Sequence, residues 1–279
     1  PFALPSGWSV VDLSTLDSCL VQDSSFRISG SVSNSCFLRS FRMNDGSPHF
    51  GFSNMSTYEG WQDNAVLINR WNNDPLRKLR FFGQQGGEDV DLSDTFWGVS
   101  SVELIEKSFV DEDDRFDFAN IITEPVRMGA PESCWPFVVD CVLSTELEND
   151  VSEVGAEEVT YTVTFNRDMD TSIQPKVYFG PDDPVTDFTI LGDWQDARTW
   201  VGKFEINSIT GDGYQQIRIE DAVAADDAWL VTGKDVGRFR FEIVTSGTEA
   251  LTMQASGGEG FVDLSWGQDD FELLAGYNL

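Results

Sequence analysis

One histidine, His49, serves a chain of 279 residues. Acid–base and nucleophilic catalysis draw heavily on imidazole, and no partner base or nucleophile stands at motif spacing from His49. The sequence also has no G-x-S-x-G elbow, no H-E-x-x-H and no phosphate-binding glycine loop. Cations are scarce: 18 lysines and arginines face 48 acidic residues, a formal charge of −30. A surface of that sign repels phosphate backbones and anionic lipid, which argues against nucleic acid as a partner. No apolar run reaches the roughly 18 residues of a membrane span, so direct membrane insertion is not expected either. Four cysteines stand in two local pairs, Cys19 with Cys36 and Cys134 with Cys141, without the C-x-x-C spacing of zinc or redox sites. An even count at close spacing predicts two disulfides and an oxidising compartment; four buried free thiols are the alternative.

What is present is a folding composition, 41% hydrophobic and 13% aromatic, with an uneven charge. Residues 1–90 carry 9 acidic and 7 basic side chains, a net −2, leaving −28 to the rest. Asymmetry of this kind marks separate modules. The first hundred residues hold short β-type runs such as Cys19-Leu20-Val21, Ser35-Cys36-Phe37-Leu38 and Ala65-Val66-Leu67-Ile68, punctuated by Gly, Asn, Ser and Asp. Serine or asparagine at corners followed by an inward apolar residue is what stacked solenoid rungs require. A linker composition follows at Met128-Gly129-Ala130-Pro131-Glu132. Beyond it the runs alternate, as in Glu157–Phe165 and Arg238–Ile243, with Gly211-Asp212-Gly213 the strongest turn between them. Half-buried strands at this spacing predict a β-sandwich.

Three stretches resemble known families. Asp94-Thr95-Phe96-Trp97-Gly98, then a helix expected over Val102–Val110, an acidic segment and Ile121-Ile122-Thr123-Glu124-Pro125-Val126 look like the terminal coil of secreted right-handed parallel β-helix proteins. Val163-Thr164-Phe165-Asn166-Arg167-Asp168-Met169-Asp170 resembles the bacterial Ig-like domain of S-layer and other surface proteins. Leu264-Ser265-Trp266 and Gly276-Tyr277-Asn278-Leu279 resemble the first strands of a fibronectin type III domain. Together these imply an all-β chain: the capped end of a right-handed parallel β-helix over 1–128, a linker over 129–136, an Ig-like β-sandwich over 137–247 and a partial fibronectin-like segment over 248–279. The absence of an initiator methionine and the strand-like last residues point to a piece of a longer secreted polypeptide, its signal lying upstream.

The carboxylates Asp89, Asp91 and Asp94, with Asp111, Asp113 and Asp114, are the candidate ligands for a structural calcium, since hard cations gather several such oxygens. Trp61 and Trp71 stand among amide side chains and are candidate glycan platforms; packing against the solenoid is the competing role. The acidic pairs Asp113-Asp114, Asp182-Asp183, Asp226-Asp227 and Asp269-Asp270 read as solvated turns, not as glycosidase carboxylates. The expectation is a non-catalytic, cell-surface structural or adhesive module that assembles with copies of itself or with other surface proteins, and with glycans as possible ligands. The alternatives are an accessory part of a β-helix polysaccharide lyase or hydrolase, or a carbohydrate-binding module.

Overall fold

Tight corners set the architecture of the first half. Ser18, Asn34, Asp63 and Asp94 each sit at φ between 50° and 52°, a left-handed conformation that short polar side chains tolerate better than others. Ser18, Asn34 and Asp63 each turn the chain from a strand of one parallel sheet to a strand of the next, and Asp94 turns it from the Val90–Asp91 strand toward the isolated bridge of Phe96 to Ala65. The computed structural model describes residues 12–22, 26–38, 49–52, 60–67, 80–82, 89–106, 109–110, 120–245, 252–258 and 261–267, and the protein is all-β.

One parallel sheet runs β1 (Asp12–Asp17), β3 (Phe26–Ser33), β5 (His49–Phe52), β8 (Arg80–Phe82) and β10 (Phe109–Val110), with β6 (Trp61–Gln62) alongside β3. A second, also parallel, runs β2 (Leu20–Gln22), β4 (Cys36–Leu38) and β7 (Ala65–Leu67). A third pairs β9 (Val90–Asp91) with β11 (Ile121–Ile122). Polar side chains tie successive corners together. Asp17 accepts from the Ser33 hydroxyl at 2.8 Å and the Asn34 amide at 3.0 Å. Buried Asn64 accepts from the Ser35 N–H at 2.9 Å and donates to the Val32 carbonyl at 2.9 Å. Burying an amide is tolerable because both its ends are satisfied.

Leu16, Val21, Val32, Phe37, Val66, Val90, Leu92, Trp97 and Ile121 fill the interior of this stack, and Ile105 from α1 (Val102–Glu106) plugs into it. The helix is shorter than the expected Val102–Val110. Phe109 and Val110 instead extend as β10, where their main chain pairs Phe81 and Phe82; an aromatic and a β-branched residue suit a strand.

The second half is an eight-stranded sheet: β12 (Val138–Ser144), β13 (Glu153–Val154), β14 (Glu158–Phe165), β15 (Lys176–Gly180), β16 (Phe188–Trp194), β17 (Thr199–Glu205), β18 (Gly213–Glu220) and β19 (Asp235–Ile243). Its order is β12-β14-β17-β16-β15-β18-β19-β13, antiparallel except for β13 on β19. Alternating burial along β14 puts Val159, Tyr161, Val163 and Phe165 inward. They meet Val177 and Phe179 of β15, Ile217 and Ile219 of β18 and Phe239, Phe241 and Ile243 of β19 in one core. Strands from both ends of the order share that core, so the sheet curls over it. β16 was not singled out by alternation, since its inward face offers only Ile190 as a fully buried residue. β20 (Thr252–Gly258) and β21 (Phe261–Gly267) form an antiparallel hairpin.

Candidate functional site

The middle sheet of the parallel stack is buried on both faces. In β4, Phe37 points into the stack while Cys36 and Leu38 point out; in β7, Val66 points in while Ala65 and Leu67 point out; in β2, Val21 points in and Leu20 out. The outward set does not reach water. It forms a separate core with Phe96, Cys134, Trp135 and Phe137, flanked by Ala130, Val139 and Leu230. A strand buried on both sides reads as a continuous apolar run, which is why Cys-Phe-Leu and Ala-Val-Leu lack alternation.

This second core is the junction between the parallel stack and the curled sheet, and part of the segment expected to be a linker lies inside it. Pro131 and residues 134–136 are buried, whereas Gly129, Glu132 and Ser133 are exposed, so the second part of this segment packs into the core. Asn166, the residue after β14, organises it. Its side-chain oxygen accepts the Phe137 N–H at 2.8 Å, and its amide donates to the carbonyls of Pro131 at 3.0 Å, Trp135 at 3.3 Å and Cys134 at 3.4 Å. The Trp135 N–H donates to the Asn34 carbonyl at 3.2 Å, and its indole to the Val231 carbonyl at 2.8 Å. Across the same seam the Lys234 N–H donates to Gln22 at 3.1 Å. Gly233 permits this approach: a Cβ there would lie 2.3 Å from the Gln22 Oε1 and 2.9 Å from Leu20.

Arg238 completes the junction. A bulge in β19 at Gly237, whose φ is 82°, turns Arg238 inward. Its guanidinium is held by Asp235, donates to the Val138 carbonyl, and has Gly98 against it; a Cβ on Gly98 would meet the Arg238 Nη1 at 3.0 Å. The Trp97-Gly98 turn is therefore a point of contact between the parallel stack and the curled sheet.

Beside the junction lies an open hollow of about 340 Å³ lined by Glu132, Arg167, Asp168, Arg198, Ala225 and Asp226. Arg198 bridges Asp168 at 2.6 Å and Glu132 at 2.7 Å, and Arg167 meets Asp226 at 2.5 Å and the Cys134 carbonyl at 3.3 Å. Its hydrogen bond from Arg198 holds the Glu132 carboxyl below the usual range, and the two carboxylates raise Arg198 further. These ion pairs hold together the chain segments that surround the hollow. Trp229, on the same loop as Ala225 and Asp226, is 85% exposed, the most exposed aromatic side chain among the described residues. Trp229 is not among the candidates drawn from the sequence; the solvated Asp226-Asp227 turn just before it is the sequence signal that it lies at the surface.

The structure places the other candidates separately. Trp61 is half-buried, stacked on Phe37 with centroids 5.3 Å apart, its indole donating to Thr95 at 2.6 Å. Trp71 lies outside the described residues, as do Asp111, Asp113 and Asp114. Asp89 accepts from the Asn120 N–H, Asp91 caps the Ser93 N–H, and Asp94 is 3.7 Å from Arg127. Among the described residues no three acidic, histidine or cysteine side chains gather as a metal-holding group. His49 opens β5, its side chain outside the description.

The disulfide pairing is corrected: no disulfide joins Cys19, Cys36, Cys134 or Cys141 in this structure. In the β2–β4 ladder Leu20, not Cys19, is the partner of Cys36, and the Cys19 thiol donates to the Asp17 carbonyl. Cys134 belongs to the junction core, whereas Cys141 belongs to the core of the curled sheet. No protein-family model matches the chain, and neither a curated protein nor a solved structure does.

Proposed function

We propose that this chain is a non-catalytic, extracellular structural module: the capped end of a right-handed parallel β-helix carrying an Ig-like sandwich in a fixed orientation, with a fibronectin-like segment beginning at β20. The observation that carries the reading is the junction core, which joins the two β-layers through buried side chains and main-chain hydrogen bonds. A hinged linker would let the layers reorient; a packed seam transmits position and force. The parallel registers with recurring left-handed corners support the β-helix, and the curled antiparallel sheet supports the sandwich. The ion pairs of the hollow, which tie Glu132, Asp168 and Asp226 to Arg198 and Arg167, suit a structural role. Its partners are copies of itself or other surface proteins. Spin labels at exposed Asp89 and Glu205 test the reading by pulsed dipolar spectroscopy: one narrow distance distribution is expected, and a broad one contradicts fixed display.

Trp229 favours a second reading, glycan binding. A flat exposed ring on the loop that carries Asp226 and Asp227 suits stacking on a sugar, and the negative surface selects neutral glycans. Glycan-array binding lost in Trp229→Ala supports it, and binding unchanged by that substitution removes it.

A further inference from the structure

The four thiols are grouped by the fold in a way their spacing does not foretell. Cys19 stands half-exposed at a corner, and Cys141 faces the core of the curled sheet. Cys36 and Cys134, each 0% exposed, share the junction core. Ala65 is the Cα partner of Cys36 across the β4–β7 ladder and lies with Cys36 and Cys134 in the junction core. The next residue, Trp135, donates its N–H to the carbonyl of Asn34, two residues before Cys36. Adjacent strands lie about 5 Å apart, and a disulfide spans Cα atoms about 4.4–6.8 Å apart.

From this juxtaposition we infer that Cys36 and Cys134 are the residues joined as a disulfide when the chain folds under oxidising conditions, fastening sheet β2-β4-β7 to the segment beneath β12. The oxidant is a small disulfide such as oxidised glutathione, or a disulfide-exchange enzyme. One protein thiolate attacks it to give a mixed disulfide and releases one reduced thiol. The second protein thiolate then displaces the other, so two protein thiols are oxidised, one oxidant disulfide is reduced to two thiols, and the two protons the protein thiols give up are taken by the departing thiolates. Both sulfurs are shut away in the folded junction, so exchange belongs to folding, before the seam closes. The loop so closed takes in β4 through β11, and a long closed loop is the case in which a cross-link restricts the unfolded chain most. The inference rests on the extracellular reading only for the source of oxidant.

The full chain is unfolded with reductant, refolded in a glutathione redox buffer, quenched with an alkylating reagent under denaturing conditions, and mapped by peptide mass. The expected result is two alkylated cysteines, Cys19 and Cys141, with one cross-linked peptide joining Cys36 to Cys134. Its denaturation midpoint shifts upward relative to the reduced chain and returns when reductant is added. Four alkylated thiols, or a peptide joining Cys19 to Cys36 or Cys134 to Cys141, overturn the inference. The double variant Cys19→Ser, Cys141→Ala keeps only the two junction thiols and forms the same cross-link. Cross-linking in vitro alongside free thiols in protein isolated from its cell upholds the pairing and contradicts the extracellular reading.

Discussion

Asp235 grips Arg238 across three residues of β19, its two carboxylate oxygens 2.7–3.1 Å from the guanidinium Nε and Nη2, with side chains 2% and 3% exposed. The pair sits where the parallel stack meets the curled sheet. Removing one member of a buried pair strands the other charge, a loss of about 3–5 kcal/mol. Asp235→Ala is therefore expected to lower the denaturant midpoint sharply. Asp235→Leu combined with Arg238→Met, which leaves no stranded charge, costs much less, and equal losses in the two variants would contradict this account.

Gly98 and Gly211 separate backbone strain from contact. Both have positive φ, 70° and 78°, but a Cβ at Gly211 meets nothing within 4 Å whereas one at Gly98 meets Arg238. Gly211→Ala should cost about 1 kcal/mol. Gly98→Ala should cost about 2–4 kcal/mol, the difference coming from overpacking. Thermal unfolding of the two variants side by side measures the gap.

Several carboxyls are held low by hydrogen bonds in the folded chain: Asp17 by Asn34 and Ser33, Glu132 by Arg198, Asp170 by Ser172. Because each is lowered on folding, the unfolded chain takes up protons first. The stability they give is complete above the ordinary carboxylate range and is lost as pH falls through the lowered values, below about pH 4. Unfolding midpoints should stay level from pH 7 to 5 and drop beneath 4, with a shallower drop in Asp17→Asn.

In the fully reduced, folded protein the thiols differ in access. Burial pushes the Cys134 thiol up to about 12 and Cys36 well above its ordinary value, while Cys19 is only half-buried. The thiolate is the reactive form. Timed alkylation at pH 8 should modify Cys19 first and leave Cys36, Cys134 and Cys141 until the chain unfolds.

Much of the framework is legible in the sequence. Alternation along Glu157–Phe165 becomes β14, and Ser, Asn and Asp at corners become the left-handed turns of the stack. The junction is legible too: a parallel strand with one wet face would alternate, yet Cys36-Phe37-Leu38 and Ala65-Val66-Leu67 do not, because both their faces are covered. What covers them was beyond local pattern. Gln22 meets Lys234 across 212 residues, and no periodicity encodes a contact at that separation. The cysteines misled for the same reason: nearness in sequence stood in for nearness in space, and the fold brought Cys36 to Cys134. Trp229 was hidden because composition alone does not tell an exposed aromatic from a buried one.

The central claim is that the parallel stack and the curled sheet are one mechanical unit joined through Trp135. Truncating this buried ring should cost about 3–5 kcal/mol, and the question is where the loss is felt. Hydrogen exchange by mass spectrometry on the full chain and on Trp135→Ala answers it. The account predicts that peptides from β2, β4 and β7 and peptides from β12, β18 and β19 lose protection together, by the same factor. Loss confined to one group, with the other keeping its protection, would contradict it.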